Sequence, residues 1–136
     1  MLETKAAKRK KITVELLDRL FSKYVRLMSG GYCKRCWRLG RPNAYKGWKN
    51  LDCAHFRPRG IHATRWDYNN VAPLCSGCHF YIDNNSTAKD EFFLEILGKE
   101  LFDAVIEKAK PGSKPDREKI KVELKVKIKI LTQGGE

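Results

Sequence analysis

No stretch of this 136-residue sequence is apolar for long enough to cross a bilayer. Nor does an apolar region follow the basic opening residues Lys5, Lys8, Arg9, Lys10 and Lys11, as a secretory leader requires. These absences point to an intracellular chain with no membrane partner. Internal repeats are also missing. Acidic side chains are few, with 16 Asp and Glu against 28 Lys and Arg, for a net charge of +12. They are scarcest over residues 31–66, where Lys34, Arg35, Arg38, Arg41, Lys46, Lys49, Arg57, Arg59 and Arg65 face a single acid, Asp52. A solvated face normally mixes signs, as residues 87–110 do. A one-signed segment points instead to a polyanion, nucleic acid ahead of acidic protein or a membrane surface. The cysteine count is five, an odd number that fits a paired disulfide framework poorly and fits reduced, metal-binding thiols well.

What is present is more specific. Cys33 and Cys36 form one CxxC hook, and Cys75 and Cys78 a second, with His79 directly after it. Two such hooks supply the four thiolates of a closed tetrahedral zinc site, which leaves no open position for catalysis at that ion. The interval between the hooks is long for a simple zinc ribbon and predicts a staple closed around an inserted strand pair. Cys53 is left over and reads as a small buried strand residue.

Residues 1–12 read as a basic arm, a phosphate contact or only a solubilising tail. A helix follows, capped by Thr13, with Leu16, Leu20, Tyr24 and Leu27 at helical spacing and Leu17, Phe21 and Met28 widening the stripe. Ser29-Gly30-Gly31 ends it. Residues 51–56 predict a strand, and residues 57–70 a loop holding a second short strand. Cys75 to Ile82 begin a helix, broken by Asp83-Asn84-Asn85-Ser86. Further helix runs from Ser86 or Thr87 to Lys110, interrupted at Gly98. The domain is therefore placed at 13–110, its core at 31–86, and a C-terminal segment at 111–136. In that segment Ile120, Val122, Leu124, Val126, Ile128 and Ile130 alternate with polar residues as a strand would, while Pro115, Asp116 and Glu118 open a helix. The fold class is α+β.

Inside the staple lie His55, Asn70 and His79. Phosphodiester hydrolysis needs a base for water, a divalent ion for developing charge and a cation for the phosphate. His55 is the natural base. Asn70 is placed to hold backbone near it, with Asn69 a competing choice. His79 offers a ring nitrogen to a metal. Arg57, Arg59 and Arg65 are candidate phosphate contacts. Asp52 is a second candidate metal ligand, although positions 52 and 55 of a regular strand face opposite ways. His62 reads as a surface residue or a DNA contact. Trp37, Tyr45 and Trp48 either stack on bases or shield a small zinc core.

At these residues the chain resembles the HNH, or ββα-metal, nucleases. Within them it is similar to the zinc-stapled branch of NinG-like phage recombination nucleases and, more distantly, to phage endonuclease VII. The stretch 52–60, DCAHFRPRG, resembles the D-x-x-H-x-R-x-R-G pattern of the NinG-like group, and 70–79, NVAPLCSGCH, resembles the ending of zinc-stapled HNH proteins. The resemblance implies a ββα-metal core flanked by helices, in a bacterium or a phage-infected host. It implies that His55 activates water, that Asn70 is the middle residue of the motif, and that His79 binds catalytic magnesium or manganese beside structural zinc. DNA is the implied substrate, cut to 5′-phosphate and 3′-hydroxyl ends, in recombination or at branched (Holliday) junctions. A homodimer fits junction cleavage, yet the helices at 13–28 and 87–110 serve equally to complete a monomer core. One departure stands out, since many HNH proteins place Asp or His directly before the base and this chain has Ala54. The competing reading from another class is a catalytically inactive, zinc-stabilised DNA-binding module.

Overall fold

The computed structural model describes residues 12–133, so the basic arm lies outside the described residues except for Ile12. Helix α1 (Val14–Met28) begins where the Thr13 side chain accepts from the backbone of Leu16. Its most buried stripe is Leu17, Phe21 and Val25. Leu16, Leu20 and Tyr24 are only partly buried, and Met28 is exposed. The expected stripe is thus centred one position on, because α1 is clasped between two partners and buries a wider arc than a single seam.

The first cysteine hook opens a short helix α2 (Lys34–Arg38). It is fixed by a close turn, in which the backbones of Lys46 and Gly47 donate to the Gly31 carbonyl. At Gly31, φ is +95°, and a Cβ there would lie 2.6 Å from the Tyr45 ring, so only glycine fits. A 3-10 turn (Trp48–Asn50) leads into strand β1 (Asp52–His55).

The segment after β1 differs from the expected loop. It contains a short helix α3 (His62–Arg65) and a 3-10 turn (Tyr68–Asn70), and the second strand, β2 (Val71–Leu74), starts only after residue 70. Pro73 lies within this strand. The strands pair antiparallel, with Asp52 opposite Leu74, Cys53 opposite Pro73, Ala54 opposite Ala72 and His55 opposite Val71. Phe56 donates to the Asn70 carbonyl, so the exchanging pairs fall at Ala54–Ala72 and Asp52–Leu74. Pro73 therefore sits at a non-bonded pair, where its missing N–H costs the ladder nothing.

Helix α4 (Ser76–Asp83) carries the second hook, and α5 (Ser86–Leu97) and α6 (Lys99–Lys108) follow. Helix α7 (Arg117–Thr132) settles the ambiguous tail as helix, capped by Asp116 accepting from Lys119. On a helix the alternation splits into two stripes. Ile120 and Leu124 pack with α1, while Val122, Val126 and Ile130 lie on the outer side and are exposed.

The result is a mixed helical and sheet fold. One core surrounds the cysteines with Leu51, Ala54, Phe56, Ala72, Leu74, Ile82, Phe93 and Val105. The other joins Ile12, Leu17, Phe21, Val25, Trp66, Val71 and Leu124. The two-stranded sheet lies between them. Phe56 ties the end of β1 to the first core, its ring stacked on Phe93 with centroids 5.0 Å apart and tilted against Phe102 at 4.9 Å. No helix among the described residues is long and apolar enough to cross a membrane.

Candidate functional site

The two hooks converge. The four sulfurs of Cys33, Cys36, Cys75 and Cys78 all lie within 4.8 Å of one another. Ligands about 2.3 Å from a tetrahedral zinc stand about 3.8 Å apart. The Cys36 sulfur lies 3.9 Å from that of Cys75 and 3.7 Å from that of Cys78, the spacing such an ion requires. Cations face the sulfurs as well. The Arg35 guanidinium donates to Cys78 at 3.4 Å, and that of Arg41 to Cys36 at 3.5 Å. Burial pushes the Cys36 thiol up, but Arg41 and the neighbouring cysteines outweigh it and bring it down to about 7. Such outer donors stabilise thiolates around a metal. A four-cysteine cluster able to hold a metal ion such as zinc is therefore a property of this fold. Cys53 takes no part; burial pushes its thiol up to about 12.

His55 ends β1 on the α1 side. Its Nε2 is 2.8 Å from the Arg65 carbonyl. A carbonyl only accepts, so Nε2 carries the proton and Nδ1 keeps its lone pair. Burial lowers the His55 pKa, and the Arg59 charge adds to this, against the raising effect of the carbonyl and Asp18.

Asn70 is fully buried. Its Oδ1 accepts from the Arg57 backbone at 2.7 Å, and its Nδ2 donates to the carbonyls of Thr64 at 2.9 Å and Arg57 at 3.2 Å. It thereby ties the chain after His55 to α3, whose last residue, Arg65, supplies the His55 contact. Asn69 is not part of this clamp: its backbone donates to the Asp67 side chain.

Asp18, on α1, is a residue the sequence did not point to. Its carboxylate accepts from Arg65 at 2.6 and 2.9 Å, from Arg59 at 3.1 Å and from the Trp66 indole at 2.9 Å. Burial raises its pKa, but the bonds from Arg65 and Trp66, the Arg65 charge and the Arg59 bond win, and the net value is about 2. Arg65 is thus committed to Asp18 and, through Nη1, to the Arg59 carbonyl. Arg59 remains 61% exposed. Arg57 is partly buried, and its Nε finds no partner among the described residues. We expect Asp18→Asn to lower stability at neutral pH by about 1–2 kcal/mol. A carboxylate with a depressed pKa stabilises the fold above its unfolded value of 3.8 and loses that contribution as pH falls through about 2. Urea titrations of the two proteins should therefore converge as pH drops from 5 toward 2. A gap that stays constant would mean the carboxylate charge is irrelevant.

His79 lies in the first turn of α4 on the other side of the sheet. Its Nδ1 is 3.0 Å from Asp52, and its Nε2 is 3.1 Å from Asp83, whose second oxygen holds Lys89 at 3.1 Å. Asp52 and His79 are thus together, as expected, with Asp83 as an unforeseen third member. Only the i,i+4 spacing of His79 and Asp83 on a helix could have signalled it. The structure does not join His55 to this group: contacts place Asp52 and Ala54 on the cysteine side and Cys53 on the α1 side. His62 packs against Trp66, with ring centroids 5.6 Å apart.

Comparison of the chain with protein-family models, with curated proteins and with solved structures gives no match.

Proposed function

We propose that this protein is a metal-dependent DNA endonuclease of the HNH type, its ββα-metal core formed by β1, β2 and α4. The observation that carries the reading is the placement of His55, a partly buried imidazole whose Nε2 faces the Arg65 carbonyl at 2.8 Å and whose pKa is lowered by burial. Its Nδ1 is left to take a proton from water, the task of a general base. Asn70 and Asp18 hold the two segments that fix that orientation. Arg59 and Arg57 lie just beyond the base, where they would meet a phosphate. Asp52 and Asp83 flank opposite nitrogens of the His79 ring, so a divalent ion would be held by His79 and the carboxylate on one side, Asp52 in this reading, a donor pair compatible with magnesium or manganese. A divalent ion held there would supply charge neutralisation at the phosphate. The four-cysteine zinc is structural in this reading.

The alternative, a zinc-stabilised DNA-binding module without catalysis, has one observation in its favour. His55 and the His79 group occupy opposite sides of the sheet, so catalysis requires one phosphodiester to lie across the β1 strand and meet both. The experiment is a cleavage assay on supercoiled plasmid and on a synthetic four-way junction, with magnesium, with manganese and with neither. Cutting that needs the ion establishes the nuclease, and the preferred substrate separates nicking from junction resolution. Tight binding without cutting under either metal selects the binding module.

A further inference from the structure

Outside the His55 and His79 groups, one aromatic ring gathers three cations. The Arg26 guanidinium carbon is 5.2 Å from the Trp48 ring centroid, the Lys49 ammonium 5.7 Å and the Lys23 ammonium 5.9 Å. Lys23 and Arg26 stand three residues apart on α1, hence on one face. Lys49 follows Trp48 in the 3-10 turn. Each cation is attracted to the ring face, but the three repel one another, and among the described residues none is paired with a carboxylate. Arg26 is also aimed, because its Nε donates to the Ser22 hydroxyl at 3.0 Å and the Ser22 carbonyl at 3.2 Å. An ordered cluster of like charges without a counter-charge is what an anion site requires.

The cluster connects to the site already described. Helix α1 packs against both the 3-10 turn that carries Trp48 and strand β1, and it also carries Asp18, which holds Arg59. The cluster and the candidate base therefore lie along the same helix. We infer that Lys23, Arg26 and Lys49, gathered on Trp48, form a contact site for the phosphodiester backbone of DNA, anchoring a strand away from the residue that would cut it. This rests on the reading that DNA is the partner, and it adds α1 to the interface. Contacts of this kind position a duplex without reading its sequence.

The test measures binding without cleavage. Affinity for a short synthetic duplex is followed over a salt series with no magnesium or manganese added, in a His55→Ala background, with and without Lys23→Ala and Lys49→Ala together. Losing two phosphate contacts should make the slope of log affinity against log salt shallower by roughly 1.8, and weaken low-salt binding tenfold or more. The Lys23→Arg and Lys49→Arg pair should restore both, and equal melting temperatures would exclude misfolding. Unchanged slope and affinity would overturn the inference and leave the cluster as packing of α1 on the turn. Absence of DNA binding would overturn it too. The two readings fail separately: a wild-type chain that cuts nothing but shows the slope change loses the nuclease and keeps the anchor, and one that cuts with an unchanged slope does the reverse.

Discussion

Replacing His55 with alanine should reduce metal-dependent cleavage by about 10²- to 10⁴-fold, the usual contribution of a positioned general base. DNA affinity and thermal stability should change little, because the imidazole makes a single backbone hydrogen bond and the variant leaves Arg57 and Arg59 in place to meet the phosphate. The pH profile gives a second readout. His55 acts as a base only when neutral, and burial holds its pKa below the ordinary 6.5. Cleavage should therefore persist at pH 6.5 and fall only as the pH drops through the lowered value. A profile breaking above 6.5, or an alanine variant that still cuts at the wild-type rate, would remove His55 from the mechanism.

Much of this arrangement was legible in the sequence, for physical reasons that differ by residue. The cysteine hooks were readable because a CxxC turn fixes its own geometry and leaves the metal to join the two. β1 was readable from its apolar flanks, and the period-two rule correctly set Asp52 and His55 on opposite sides of it. The helix after the second hook, the break at Asn84 and Asn85, and the interruption at Gly98 followed from local turn chemistry. The start of β2 did not, because it depends on the Asp67 and Asn70 side chains closing α3 and a 3-10 turn ahead of it. Asp18 was invisible for a related reason: its partners, Arg59, Arg65 and Trp66, lie more than forty positions away in the chain. The tail shows pattern losing to context. Residues 120–130 alternate as a strand does, but the cap at Asp116 and the apolar face of α1 favour a helix, whose second stripe is left outside.

The largest stability effect should come from the cysteines. The strands have four residues each, and an isolated two-stranded hairpin is at best marginally stable. What holds it is the core around Cys33, Cys36 and Cys78, each no more than 2% exposed. Structural zinc in small domains contributes roughly 10–16 kcal/mol of apparent binding energy, comparable with the whole stability of a domain at about 5–15 kcal/mol. A zinc chelator should therefore unfold the protein, and metal analysis of the native chain should find one zinc per molecule. Cys36→Ser, which removes the ligand that Arg41 supports, should cost at least about 3 kcal/mol and lower the melting temperature by roughly 10 °C or more. Cys53→Ser serves as the control: it makes the same substitution outside the cluster and should retain the zinc. Circular dichroism and near-ultraviolet spectra of the three proteins, with and without chelator, make the comparison. A chelated protein that keeps a cooperative transition at the native temperature would show that the apolar packing suffices. The cysteines would then be a binding site carried by the fold rather than the element that closes it.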